Sequence, residues 1–314
     1  MKVAVLLILL ASSSAALFGQ TSGPPTTGAT PAPQPTPNFP RGSRGSATPT
    51  IPTLGNAVPD RDGTAPDGLA LQQLIVHTYA EPLYRKATER ELLDIAPPQG
   101  IANHYAEFLR RPATGIFRLA PDSGCSENSK VINANDECLK YTMPGAGNSY
   151  SFRVGTYRLK DLSDLNYSNN ILGVSGLMMN GIMVDLGDVP VEDINLQTPG
   201  VDLIVKFQPA GDFEAARLLN DQYVTGIERG GLLYRRFLPA KQNATYVLRA
   251  VAYHGKLMRS VRGVPYNEFD FDKRRDVIVV FRVAYRDTDG SLIIVWKQLS
   301  STDSPKLKMS ATEK

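Results

Sequence analysis

The sequence predicts an α+β protein with a short N-terminal helical cap on a mainly antiparallel β-sheet or sandwich. Residues 67–111 carry helix start and stop signals, whereas residues 114–299 carry short apolar strands separated by turn residues. Strands and helices do not alternate along the chain, which argues against a parallel doubly wound fold. The pattern leaves a sandwich and a curled open sheet as alternatives.

Composition excludes several classes of protein. The 314 residues, 42% of them hydrophobic, suffice for one or two domains with a buried core. The 34 basic residues against 31 acidic ones are unlike a polycation or an acidic tail. Two Cys exclude a disulfide-rich miniprotein, and three scattered His offer little for a metal site. We therefore predict no metal and no cofactor.

Residues 1–19 have the layout of a secretory signal peptide. Met1-Lys2 is a positive start, Val3–Phe18 is apolar, and small residues lie near Ala16 and Gly19. The apolar run is shorter than the roughly 20 residues of a membrane-spanning helix. Cleavage is predicted, with a retained anchor as the alternative, and no span is expected after cleavage. The protein is thus predicted to be exported, to the periplasm, the cell surface or the medium.

Residues 20–66 are predicted to form a disordered linker. They hold 11 of the 23 prolines, 12 Ser or Thr and 6 Gly. Such a segment buries too little apolar surface to offset its chain entropy. A plain spacer is the expected role, with a partner motif or a wall-spanning stalk as alternatives. The near-neutral remainder of the chain gives no electrostatic reason to expect nucleic-acid binding.

The single folded domain is predicted over residues 67–300. Asp67 can cap a first helix, and Glu81-Pro82 interrupts it. Thr88 and Glu91 form a capping box at the start of a second helix, which Pro97-Pro98 ends. Ile101–Arg110 is a third short helix, stopped by Pro112.

Strands are predicted from residue 114 onward. Asn180-Gly181, between two apolar runs, predicts a two-residue hairpin, and Asp287–Gly290 predicts a tight turn. Val277–Arg286 is apolar on both faces at its start, which indicates a central strand. Residues 301–314 are predicted to be a flexible tail. The predicted strands are Ile116–Leu119, Tyr150–Leu159, Ile171–Met179, Ile182–Leu186, Val201–Phe207, Leu232–Phe237, Thr245–Tyr253, Val277–Arg286 and Ser291–Leu299; Phe213–Leu219 is predicted to be a helical turn.

Cys125 and Cys138 are predicted to form a structural disulfide. An exported protein meets an oxidising compartment, and the cysteines are even in number. The 12 intervening residues do not fit the Cys-x-x-Cys spacing of a redox pair. A catalytic thiol is the alternative.

No catalytic constellation is recognised, so no catalytic residue is assigned. Asp287-x-Asp289-Gly290 lacks the ligands of an EF-hand loop, and no Walker loop occurs. The acidic residues between Asp185 and Asp193 fit a solvated loop or a hard-cation site. His77, His104 and His254 lie in unrelated segments. A triad remains open, because its members need not be close in sequence.

Basic groups occur at Arg110-Arg111, Arg235-Arg236 and Lys273-Arg274-Arg275. Solvated strand ends are the expected interpretation, since acidic residues precede the last group. The alternative is an anionic ligand such as an acidic glycan or a lipid head group.

Four stretches carry a resemblance to a known family. They are Tyr105–Ile116, Leu186–Glu192, Arg235–Ala240 with Thr245–Arg249, and Asp276–Lys297. They resemble segments of an uncharacterised family of exported bacterial proteins, over most of residues 90–300. The resemblance implies one exported domain and no catalytic residue.

The leading hypothesis is a non-enzymatic exported protein that binds an envelope component or a protein partner. The alternatives are a secreted hydrolase built on His254 or the carboxylates of residues 185–193, and a carrier of apolar ligands. The carrier hypothesis predicts a large cavity lined by Met178, Met179 and Met183. The sequence assigns no binding residue.

Overall fold

The computed structural model describes residues 68–121, 143–174 and 176–308. They belong to one compact unit, Thr64–Lys314. The predicted signal peptide, the predicted linker and the Cys125–Cys138 pair lie outside the described residues.

Short helices open the unit, as predicted. The Thr88 hydroxyl accepts a hydrogen bond from the Glu91 amide, and the Glu91 carboxylate accepts one from the Thr88 amide, which confirms the capping box. The helices are α1 (Gly68–Tyr79), α2 (Glu89–Asp94), α3 (Gln99–His104), α4 (Ala106–Leu109), α5 (Asp202–Lys206) and α6 (Phe213–Thr225), with 3₁₀ helices at Glu81–Tyr84, Pro144–Gly147, Lys160–Leu162 and Glu268–Phe271.

Antiparallel strands make up most of the rest, so the α+β prediction is confirmed. The strands are β1 (Thr114–Leu119), β2 (Ser149–Ser151), β3 (Thr156–Tyr157), β4 (Leu165–Ser168), β5 (Ile171–Gly173), β6 (Met179–Asp185), β7 (Ile227–Arg229), β8 (Leu232–Arg235), β9 (Phe237–Pro239), β10 (Thr245–Ala252), β11 (Met258–Val261), β12 (Val264–Asn267), β13 (Arg275–Arg286) and β14 (Leu292–Asp303). Among the described residues they form a seven-stranded sheet of order β1-β14-β13-β10-β6-β8-β7, a five-stranded sheet of order β3-β2-β4-β5-β9, and the hairpin β11–β12.

The seven-stranded sheet is the central layer. One face packs on the five-stranded sheet, with Phe281 and Leu248 among side chains such as Tyr150 and Leu172. The other face packs on helices α4, α5 and α6. The alternation along β13 explains why that strand is apolar on both faces, since successive side chains enter opposite cores. The predicted central strand is confirmed, and a sandwich is the form the fold takes.

The hairpin predicted at Asn180-Gly181 is wrong, because β6 runs through both residues. Asn180 is buried, where it accepts a hydrogen bond from the Tyr253 hydroxyl at 2.6 Å and donates one to the Ala216 carbonyl at 2.7 Å. A Cβ on Gly181 would lie 2.3 Å from Cγ1 of Val174, so glycine permits a close approach here. The turn instead lies at Asn169-Asn170, whose φ angles of 49° and 63° suit a two-residue hairpin.

The strand predicted at Val201–Phe207 is also wrong, since the segment contains α5. Val201 and Ile204 are buried in the core beneath the sheet, three residues apart on one helix face. A short apolar run fits either period, so the sequence pattern does not separate the two forms. Tyr150–Leu159, predicted as one strand, is the hairpin β2–β3, and Phe213–Leu219 is the first half of α6.

The predicted flexible tail is ordered over its first residues. Strand β14 extends to Asp303, whose carboxylate pairs with Arg275 at 2.9 Å. Lys306 and Lys308 form isolated bridges to His254 and Asp212. The tight turn at Asp287–Gly290 is confirmed, with Gly290 at φ 84°.

Candidate anion-binding cleft

A cleft of about 820 Å³ lies between the N-terminal helical segment and the five-stranded sheet. One wall comes from α1 and the 3₁₀ helix Glu81–Tyr84, and the opposite wall from residues 270–273. Arg158, which follows strand β3, contributes to the lining together with Val154. We call this site the Arg158 cleft. Its volume lies within the range of about 300–1,000 Å³ typical of ligand pockets.

Aromatic stacking joins the two walls. The ring of Tyr84 stacks on that of Phe271, with 4.8 Å between centroids and 6° between planes. The hydroxyls of Tyr84 and Tyr266 are hydrogen-bonded at 3.0 Å. Burial, reinforced by this hydrogen bond, raises the pKa of Tyr84 far above its ordinary 10.0. Tyr84 therefore remains a neutral hydroxyl at physiological pH and does not act as a base.

The capping box holds the next part of the wall in place. The Arg85 guanidinium donates to both oxygens of Glu91, at 2.6 and 2.7 Å, and Glu91 is itself buried. The hydrogen bond to Glu91 is the main cause that raises the pKa of Arg85. Lys86 follows directly and is exposed at the cleft. The local sequence that starts α2 thus also positions the residues at the rim.

Arg158 is a buried cation without a carboxylate partner among the described residues. The side chain is 4% exposed and donates to the backbone carbonyls of Tyr84 and Phe271. Its Nε atom is buried without a hydrogen-bond partner. Burial lowers the pKa of Arg158, but an arginine side chain keeps its proton in a protein. The floor of the cleft therefore carries a positive charge whose hydrogen bonds go to two neutral carbonyls, while the charge of Asp272 acts on it from beyond ion-pair distance.

A buried ion network lies behind this floor. Arg153 donates from Nε to Asp164 at 2.5 Å and from Nη1 to Asp272 at 2.7 Å, and all three side chains are at most 1% exposed. Asp164 also accepts from the Ser151 hydroxyl at 3.0 Å and from the Arg153 amide at 3.1 Å. These bonds satisfy the buried charges that otherwise carry a large desolvation penalty.

Arg274 completes the network from the opposite side. It donates to Asp272 at 2.9 Å and to the carbonyls of Tyr253, Leu177 and Met178 at 2.8–2.9 Å. Its guanidinium lies 4.0 Å from the ring centroid of Phe269. The interpretation of this basic group as solvated strand ends is wrong for Arg274, which is 6% exposed. Of the acidic residues before it, Asp272 pairs with Arg274 inside the protein.

The charges of this region leave an excess of one positive unit. Arg153, Arg158 and Arg274 face the carboxylates of Asp164 and Asp272. Asp272 uses only Oδ2, and its buried Oδ1 has no hydrogen-bond partner. Burial alone would raise the pKa of Asp272, but Arg153 and Arg274 more than reverse this effect and lower it. Asp272 is thus a fixed negative charge and a poor general acid.

Charges at the mouth of the cleft extend the positive floor. Lys86 and Lys273 are exposed and lie beyond ion-pair distance of the carboxylates of the described residues. The acidic lining residues are already engaged: Glu81 contacts His77, and Asp270 accepts from the Asn267 amide at 2.6 Å. The arrangement suits an oxyanion rather than a cation.

The acidic residues considered as a cation site or hydrolase site do not converge. Asp185 binds Lys241 at 3.0 Å, and Asp188 binds Arg282 at 2.6 Å. Glu192 offers its backbone carbonyl to Lys297 at 2.7 Å. Over residues 68–121, 143–174 and 176–308, no cluster of three or more metal-binding side chains is present. The sequence suggested a cation site or a hydrolase site here, whereas Asp185 and Asp188 form ion pairs with basic residues in the structure.

The remaining candidates are also placed. His77 lines the Arg158 cleft, His104 is the last residue of α3, and the backbone of His254 forms an isolated β-bridge with Lys306. Met179 and Met183 are packed in the core between the two sheets. Arg158 was missed by the sequence analysis, because an arginine directly after a short strand is ordinarily a solvated strand end.

Comparison with protein-family models, curated proteins and solved structures found no significant match. The resemblance to exported bacterial proteins therefore stays a prediction. Among the described helices, none combines the length and the apolar character needed to cross a lipid bilayer.

Proposed function

We propose that this chain is an exported binding protein that takes an acidic glycan of the cell envelope in the Arg158 cleft. One observation carries the proposal: the buried guanidinium of Arg158 lines the cleft and forms no ion pair within the part of the chain that the structure describes, where three buried guanidiniums share the two carboxylates of Asp164 and Asp272. A carboxylate of the ligand would supply the missing negative charge in a site of low dielectric constant. Export rests on the signal-like residues 1–19 alone.

The size and charge of the cleft support a polymer rather than a free small anion. About 820 Å³ is more space than a single phosphate occupies, so the anionic group belongs to a larger ligand. Lys86 and Lys273 at the mouth would contact neighbouring acidic units. Asp270, exposed on the same wall, can accept hydrogen bonds and suits a hydroxyl that accompanies a carboxylate on a sugar acid.

Calorimetric titration with oligogalacturonate tests the proposal, with neutral maltooligosaccharide and inorganic phosphate as comparison ligands. We expect binding of oligogalacturonate only, with an affinity that falls as salt is added. Lys86→Gln with Lys273→Gln should weaken binding roughly tenfold, since each exposed pair contributes at most about 1 kcal/mol. Arg158→Gln should abolish binding while retaining a side chain that donates hydrogen bonds.

A matched control removes two exposed cations elsewhere: Arg110→Gln with Lys206→Gln. This variant has the same net charge as the rim variant, so it should bind like the parent protein if position matters. If both double variants lost affinity equally, net charge rather than the position of the cations would explain the effect, and the proposal would be contradicted. If Arg158→Gln fails to fold by circular dichroism, the rim variant and its control still decide the question.

A further inference from the structure

Helix α1 exposes apolar side chains that the rest of the described chain does not cover. The helix contains Leu69, Leu71, Leu74, Ile75 and Val76, yet none of its residues is buried. Leu69 is 67% exposed and Leu74 is 56% exposed. Gln72, Gln73 and His77 interrupt the apolar surface of α1, which is therefore a broad stripe. Such a stripe ordinarily faces a core or lipid. Leu69 borders the groove beside the hairpin, and both Leu69 and Leu74 remain exposed.

Helix α1 rests on the hairpin β11–β12. Val76 and Pro265 line a shallow groove between the two elements. The Arg262 guanidinium lies 3.7 Å from the ring centroid of Tyr79 and so joins the hairpin tip to the end of the helix. Arg262 and Gly263 form the two-residue turn, with φ of 50° and 79°. Met258 on β11 is 57% exposed and adds to the apolar surface. We call α1 and this hairpin together the α1–hairpin face.

The face is cationic as well as apolar. Residues 68–80 and 255–267 contain no Asp or Glu, whereas they include Lys256, Arg259 and Arg262. Arg259 is paired with Glu268 at 2.6 Å. Glu81, the acidic residue that follows α1, contacts His77. Lys256 and Arg262 thus outnumber the single carboxylate of Glu81 beside the exposed leucines.

We propose that the α1–hairpin face docks on a lipid bilayer with anionic head groups. Exposed leucines enter the boundary between head groups and acyl chains, and the cations contact the negative surface. The Arg158 cleft shares His77 and Glu81 with the groove beside α1, so the rim cations lie near the same face. The inference goes beyond glycan binding and does not rest on it.

Charge argues against the other occupants. A second copy of the chain would place a cationic face against the same cationic face, because a two-fold interface pairs identical patches. The segment of residues 20–66 is rich in proline, has Phe39 as its one aromatic residue and carries a net positive charge. Its composition supplies neither an apolar run nor a charge complementary to the α1–hairpin face.

Vesicle co-sedimentation tests the proposal, with residues 64–314, the compact unit that contains the cores described above. These residues omit the apolar N-terminus, which would bind lipid by itself. We expect binding to phosphatidylglycerol vesicles that added salt weakens, and little binding to phosphatidylcholine vesicles. Leu69→Gln with Leu74→Gln should weaken binding roughly tenfold or more, since binding scales with inserted apolar area. Lys256→Gln with Arg262→Gln should weaken it by about fivefold per charge.

Leu218→Gln is the matched control. Leu218 is 54% exposed on α6, beside Glu214 and Asp221; both carboxylates pair with Arg217, so these three residues leave one net negative charge, which does not attract an anionic surface. This variant should bind vesicles like the parent unit. The proposal fails if the unit does not prefer phosphatidylglycerol, or if the α1 variant binds as tightly as the parent. It also fails if sedimentation equilibrium shows a dimer that the α1 substitutions dissociate, because a second copy then covers the face.

Discussion

Asp272 is the residue on which the buried charge network depends. Its Oδ2 atom accepts charge-assisted hydrogen bonds from Arg153 at 2.7 Å and from Arg274 at 2.9 Å. Asp272→Asn keeps the shape and removes the charge, which leaves three buried guanidiniums opposite Asp164 alone. Breaking a buried ion pair in this way costs about 3–5 kcal/mol. That is a large part of the roughly 5–15 kcal/mol by which a native protein is stable.

Urea unfolding at neutral pH measures this loss. The fluorescence of Trp296, the one tryptophan of the chain, and far-ultraviolet circular dichroism follow the same transition by independent signals. Thermal unfolding gives a second measure of the same loss: the Tm of Asp272→Asn should fall by about 10 °C, since a destabilisation of 1 kcal/mol corresponds to roughly 2–4 °C in a domain of this size. The control is Asp270→Asn, an exposed carboxylate two residues earlier, which should cost less than about 1 kcal/mol.

A double variant separates charge from packing. Arg158→Met loses two hydrogen bonds to carbonyls but also removes the cation that lacks a partner. Combined with Asp272→Asn, it restores the original excess of one positive charge. The double variant should therefore be less destabilised than the sum of the single variants. Additive effects, or a loss below about 1 kcal/mol for Asp272→Asn, would refute the electrostatic reasoning.

Three further predictions concern pH, close packing and turn geometry. The folded state lowers the pKa of Asp272 from its ordinary value of 3.8, so the ionised carboxylate stabilises the protein above that value, and this stabilisation is lost as the pH falls through the lower folded pKa. Urea midpoints measured over a series of acidic pH values should show this loss in the parent protein and not in Asp272→Asn. Gly181→Ala places a methyl group 2.3 Å from Val174 and should lower the free energy of unfolding in urea by at least about 1–3 kcal/mol. The control is Gly100→Ala in α3, which has open space around it and should raise that free energy by up to about 1 kcal/mol. Asn170→Gly suits the hairpin turn at φ 63° and should raise Tm slightly; a fall would contradict the turn assignment.

The helical segment and the last hairpin were predictable from local sequence. The capping box of Thr88 and Glu91 needs only residues three apart, and the Asp287–Gly290 turn needs only four. The central position of β13 was readable because apolar residues on both faces require two packed layers. The hairpin at Asn180-Gly181 was mispredicted because the sequence alone does not distinguish a glycine that permits close packing within a strand from a glycine in a turn.

The Arg158 cleft was not predictable in this way. Arg158 lies 74 residues from Tyr84 and 113 from Phe271, whose carbonyls it contacts. The basic group at 273–275 suggested an exposed patch, whereas Arg274 is buried by partners as distant as Leu177. An ionisable side chain shows in the sequence that a charge exists, but its burial depends on which segments the fold brings around it.

The sequence by itself determined the α+β class, the helix caps and the strands whose period matches their burial, because these depend on neighbours within a few residues. The tertiary structure alone decided where charge is buried and which surfaces remain uncovered. The excess cation at Arg158 and the exposed leucines of α1 both arise from contacts between distant segments. Desolvation and burial are properties of assembled surroundings, and no local pattern of residues encodes them.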